Sequence, residues 1–178
     1  MSKVVDIKEF SLERAFRRGL PQWQAHFKEA LTKETRLSDF SDQTLLALAS
    51  LQGNSSFTLQ DIIMGFHGYG RGMKFQYLDA KSKMAVLDVY FFTADQVRWE
   101  CMRRLGWVTG FAGEEYPLVE LILNYKEIMK NFTPKYPRLA ENHPYYAEFV
   151  KNRQFEGEAI IRRLIPVALA FLEKKTQE

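Results

Sequence analysis

Four glycines fall within the eight residues Gly65-Phe66-His67-Gly68-Tyr69-Gly70-Arg71-Gly72, a stretch whose composition exceeds what folding alone needs. Glycine reaches φ > 0 at little cost and leaves its amide unshielded, so Gly68 and Gly70 can turn the chain tightly and present N–H donors to an anion. Arg71 adds a permanent cation with a planar fork of donors, His67 a ring that titrates near neutrality, and Tyr69 a stacking face. The chemistry open to this set is recognition of an anionic small molecule. Neither familiar phosphate loop matches. No Gly-Lys-Ser/Thr follows, and Gly68-x-Gly70-x-Gly72 lacks the third glycine of a dinucleotide fingerprint at the required offset. The competing reading is a turn packed against a neighbouring helix, in which the glycines only avoid clashes.

Asp88 stands in an apolar run, with Ala85-Val86-Leu87 before it and Val89-Tyr90-Phe91-Phe92 after it. A buried, ionised carboxylate requires a partner, and Arg71, His67 or Arg98 could supply one. Asp88 and Asp95 are seven residues apart, two turns on one helix face, which lines a polar cleft or faces water; the solvated face is the expectation. The candidate ligand set is therefore His67, Gly68, Tyr69, Gly70 and Arg71, with Asp88, Asp95 and Arg98 in support.

Catalytic and metal chemistry find little to work with. Cys101, the single cysteine, lies among Trp99, Met102 and Leu105 on a face expected to be buried, where a thiol is inert. One cysteine makes no intramolecular disulfide, and a reducing, cytoplasmic location is the simpler assumption. Three histidines, His26, His67 and His143, show none of the spacings of zinc or carboxylate-bridged di-iron ligands, so no metal and no cofactor are expected. No serine occupies a nucleophile elbow, and no catalytic motif is found.

The elements that must position these residues read as helices. Lys8–Arg18 stops at Gly19-Leu20-Pro21, and a second helix from Gln22 to about Thr32 carries Trp23, Phe27, Ala30 and Leu31 on one face. Ser41 caps a third, Asp42–Leu51, and Thr58 opens a fourth. Asp79 or Ser82 starts a long helix that ends at Gly106 behind Arg103 and Arg104, with Asp95–Arg98 and Glu100–Arg104 as ion-pair spacings. A β-rich run at 86–93 leaves a hairpin over 74–92 as the alternative. Pro117 begins a helix to Phe132, and Pro144 a final helical region to about Lys174, kinked at Pro166.

A helix–turn–helix across Thr44–Met64 suggests DNA binding, but charge excludes it: the 34 residues between Arg36 and Arg71 contain no Lys or Arg while holding Asp39, Asp42 and Asp61. The N-terminus is too charged for a signal peptide, and the longest apolar run, Leu164–Leu172, is nine residues, too short to span a bilayer. The chain has 178 residues, 46% hydrophobic, 26% charged and 14% aromatic, with a net charge of +3. That length and balance predict one domain over 1–178, an all-α helical bundle of six to eight helices with a short N-terminal arm. Two functional classes follow. The first is a non-catalytic interaction or regulatory module, expected to be homodimeric through its C-terminal helix, whose apolar residues cover nearly the whole circumference. The second is a small-molecule-binding protein or small enzyme that holds an anion at residues 65–72.

Overall fold

The computed structural model describes residues 7–131, 137–154 and 156–177. Among these residues the chain forms α1 (Ile7–Phe27), α2 (Asp42–Ala49), α3 (Gly53–Phe66), α4 (Ala80–Arg104), α5 (Ala112–Glu115), α6 (Leu118–Leu123), α7 (Tyr125–Asn131), α8 (Tyr146–Asn152) and α9 (Gly157–Gln177). Two short strands, β1 (Val108–Thr109) and β2 (Arg138–Leu139), pair antiparallel with Val108 opposite Leu139. The architecture is all-α. Residues 72–77 form a 3-10 turn and 80–104 a helix, so the hairpin over 74–92 does not exist.

The long helix is bounded by signals within a few residues of its ends. Asp79 accepts hydrogen bonds from the Ser82 amide (2.9 Å) and hydroxyl (3.0 Å), which holds the Asp79 carboxyl below its ordinary range. At the other end Gly106 takes φ +73; its amide reaches Arg103 O (2.8 Å) and that of Trp107 reaches Met102 O (3.0 Å), a paired C-terminal closure. Over roughly 37 Å, α4 serves two apolar cores. Val86, Val89 and Val97 join α1, α2, α3 and α6, whereas Trp99 and Met102 join Val108, Phe111, Leu139, Phe149 and α9.

Polar groups on α4 are buried but paired. The Thr93 hydroxyl donates to Val89 O (2.8 Å), and Gln96 Oε1 accepts from Gly113 N (2.9 Å). Glu100, 1% exposed, is held by both Nε and NH2 of Arg103 (2.7 Å each) and by Arg104 Nε (3.2 Å). Arg104 continues to the Asp42 carboxylate and to the carbonyls of Phe40 (2.6 Å), Ser38 (3.1 Å) and Leu37 (3.4 Å). It thereby ties the chain before α2 to the end of α4.

Four expected boundaries are corrected. The break at Gly19-Leu20-Pro21 is absent, and α1 runs through it to Phe27. Gly19 is buried, and a Cβ there would come within 3.3 Å of Ile62 Cγ1, so the glycine serves the close crossing of α1 over α3 rather than an end. Pro21 is exposed, where its missing amide costs one bond. The chain leaves the helix at Lys28, with φ +60. Next, α3 starts at Gly53 instead of Thr58, whose hydroxyl turns inward along its own helix to Asn54 O (2.8 Å). Finally, the helix expected from Pro117 to Phe132 divides at Asn124, where φ −110 and ψ 19 leave the helical region; Phe132 lies outside the described residues. The C-terminal region is likewise two helices, with Gly157 starting α9. Tyr136 and Phe155, part of the aromatic excess, lie outside the described residues.

Gly113 sets a packing limit where α5 meets the loop before α2. A Cβ there would lie 2.8 Å from Leu37 Cδ1 and 2.9 Å from Phe111 Cε2. Gly113→Ala is expected to lose about 1–3 kcal/mol by overpacking, read as a lower urea midpoint with unchanged slope. A neutral substitution would show that this contact relaxes freely.

Candidate anion-binding site

The glycine loop is shaped by the way α3 ends. Gly68, at φ +77, donates to Gly65 O (3.2 Å), and Tyr69 N donates to Met64 O (2.9 Å), the same double closure that ends α4. Gly70 then takes φ +86, and Gly72, buried, donates its amide to Asp61 Oδ1 (2.7 Å). With the His67 amide on Ile63 O (3.1 Å), four of the six amides from His67 to Gly72 are thus consumed internally. Those of Gly70 and Arg71 have no hydrogen-bond partner among the described residues.

Because α1 is continuous, Arg14 and Arg18, spaced i and i+4, lie along the same stretch of helix as Ala15 and Gly19. A recess of about 280 Å³ forms between α1, the end of α3 and the loop. Its polar lining includes Arg14, Arg18, Arg71 and Asp61, with Gly68 and Gly70 as bare backbone. Neither Arg14 nor Arg71 has an ion-pair partner among the described residues, and Arg18 makes only a 3.5 Å contact to Arg14 O. Asp61, the one acid in the lining, already spends Oδ1 on Gly72. The Lys74 stem lies over Gly70, with Nζ 3.9 Å from where a Cβ would stand. The lining therefore carries three guanidinium groups against the single Asp61 carboxylate, with no ion pair among the described residues, beside two amides with no acceptor among them.

The candidate ligand residues separate into three places. Arg71, Gly68 and Gly70 share the recess just described. His67 faces the other way: its Nε2 donates to Ile122 O (2.9 Å), and with Tyr69 it lines a shallow hollow against Val89 and Tyr125. His67 is thus a structural tie between α3 and α6. Asp88 and Asp95 do share a face, both lining a groove of about 530 Å³ between α4, α7 and α9. Asp88 is exposed and needs no buried partner. Asp95 is engaged by Arg98 (3.2 Å) and by two nitrogens of Arg162 (2.6 and 3.2 Å), which raise Arg162 above its ordinary range. Arg98 also reaches Ala49 O (3.4 Å) at the end of α2. None of these three belongs to the loop.

No proton-transfer or nucleophilic set accompanies the recess. Cys101 is fully buried, and burial pushes its thiol up to about 12, so it is not a thiolate near neutrality. Among the described residues, no group of three or more His, Cys, Asp or Glu converges in a way that could hold a metal, and no helix is long and apolar enough to cross a membrane. Arg14 and Arg18 are the site residues that sequence reasoning missed. Their i, i+4 spacing was a usable signal, but only for a helix that continues past Gly19. No family model, no curated protein and no solved structure matches this chain, so its function has to be argued from the geometry of its own sites.

Proposed function

We propose that this protein is a non-catalytic binding module for a small anionic ligand bearing a phosphate group, held in the recess between α1 and the glycine loop. One observation carries the reading: Arg14, Arg18 and Arg71 line a single recess without acid partners among the described residues. Guanidinium groups match phosphate oxygens in charge and in planar geometry, and the amides of Gly70 and Arg71 extend the same preference. A recess of this size suits a phosphate with a compact organic body, at the lower end of small-molecule sites.

Thermal-shift and titration measurements with inorganic phosphate, pyrophosphate, a hexose phosphate and AMP test it. A ligand at 100 times its dissociation constant adds about 2.7 kcal/mol of apparent stability. Arg71→Ala and Arg18→Ala remove exposed, unpaired side chains, so each is expected to change stability by about 0.5 kcal/mol or less while weakening binding at least tenfold. Binding that survives both substitutions, or no binding at millimolar concentration, ends the proposal.

Self-association through α9 is the other class, and it is favoured by a specific feature. Val167 and Phe171 of α9 stand 47% and 58% exposed, whereas Ile160, Ile161, Leu164, Ile165 and Leu172 of the same helix are buried. Under that reading a second copy of this chain covers the face. Light scattering at two concentrations is expected to give a rising mass under that reading; a monomer mass at both ends it.

A further inference from the structure

We propose that the groove between residues 143–145 and the C-terminal half of α9 is a second binding site, taking an aromatic carboxylate whose acid group is held by His143 and Arg163. The groove measures about 540 Å³, within the range of small-molecule sites, and Trp107, Leu164, Val167 and Phe171 form its apolar walls. Its rings pack on one another. His143 and Phe171 each meet Trp107 edge-on, at 5.0 and 5.8 Å between centroids. An aromatic ligand adds one more ring to that set at little cost in side-chain ordering.

His143 supplies the polar specificity. The ring is more than nine-tenths buried, and its Nδ1 accepts a hydrogen bond from the backbone amide of Tyr145 (3.2 Å). An amide donor at Nδ1 requires a lone pair there, so the proton of the neutral ring sits on Nε2. Burial lowers the pKa of His143, in keeping with the neutral form. Nε2 has no hydrogen-bond partner among the described residues, yet it is not among the side-chain atoms sealed from solvent. His143 is one of the residues that line the groove. A mostly buried ring N–H with no acceptor among the described residues, on a residue that lines an apolar groove, is an arrangement a ligand oxygen completes.

Charge narrows the ligand to an acid. Arg163 is the one charged residue in the described lining, and no carboxylate lines the groove. Glu148, outside it, bonds Arg163 at 2.8 Å, but both partners are well exposed, at 63% and 41%, and an exposed pair of this kind exchanges readily for another carboxylate. The two donors and the ring walls together fit a flat apolar body with one carboxylate.

The full chain titrated with 2-naphthoate, against 2-naphthylmethanol as the neutral counterpart, tests this by calorimetry and by NMR of the Val167 and Leu164 methyl groups. The expected result is one naphthoate per chain, shifts at both methyl groups, and binding at least tenfold tighter than the alcohol. His143→Phe and Arg163→Gln are each expected to weaken naphthoate about tenfold or more, while Arg71→Ala leaves it unchanged, which separates this site from the arginine recess. Should His143→Phe not fold, Arg163→Gln and Val167→Glu, both at exposed positions, carry the same test. Equal binding of acid and alcohol, shifts confined to other residues, or naphthoate affinity untouched by these substitutions overturns the proposal. So does a dimer by light scattering that naphthoate does not dissociate, since a second copy would then fill the groove.

Discussion

Arg104→Met is expected to destabilise the protein by about 3 kcal/mol or more, the cost of breaking a buried ion pair from one side. Arg104 is 18% exposed and reaches two carboxylates and three carbonyls. Methionine keeps much of the apolar stem but none of the donors. Asp42 then loses its ion-pair partner among the described residues, Glu100 keeps only Arg103, and the Phe40 carbonyl loses the closest donor it has from Arg104. Arg103→Met is the matched control. Arg103 also bonds Glu100, but its side chain is 36% exposed and it makes no other ion pair among the described residues, so about 1 kcal/mol is expected. Urea denaturation of both variants decides it. If the two lose stability equally, the contacts from Arg104 to the chain before α2 contribute nothing.

The second large effect concerns Trp23, which is fully buried on α1 and packs against Phe27 and Phe40 at ring distances of 4.4 and 5.3 Å. Trp23→Ala removes the largest ring of that contact and is expected to cost about 3–5 kcal/mol. Trp23→Phe is the informative comparison. Among the described residues the Trp23 indole N–H is the one buried side-chain polar atom without a hydrogen-bond partner. Phenylalanine gives up packing area but also removes that unpaired donor, whose desolvation costs about 1–3 kcal/mol. The Phe variant is therefore expected to lie within about 1.5 kcal/mol of the wild type in urea melts. A loss near that of the Ala variant would mean that the indole ring fits its site closely enough to outweigh the missing bond.

Legibility in the sequence followed the range over which each signal acts. The boundaries of α4 are set by Asp79, Ser82 and Gly106, all within a turn of the ends, and its Asp95–Arg98 and Glu100–Arg104 pairs fall at the expected spacing. Gly19 and Pro21 also looked local, but the glycine answers to Ile62, more than forty residues away, and no local pattern carries that information. That misreading had a consequence for the site. With α1 ended at Gly19, nothing related Arg14 and Arg18 to the loop, and only Arg71 and the glycines were legible there. His67 and Tyr69 lie apart from the recess that Arg71 lines because a C-terminal closure splits consecutive residues between two sides of the chain, and composition does not say which side each takes. The shared face of Asp88 and Asp95 was readable because it depends on helical period alone.

The double role of α4 bears on how the molecule comes apart. Its side chains are divided between the α1–α3 core and the α8–α9 core, so opening either one uncovers half of the same helix. Neither core can be lost as a separate foldon without weakening the frame of the other. A ligand bound at either proposed site is then expected to raise the melting midpoint read from probes in both cores together, and a shift confined to one core would show that they melt separately.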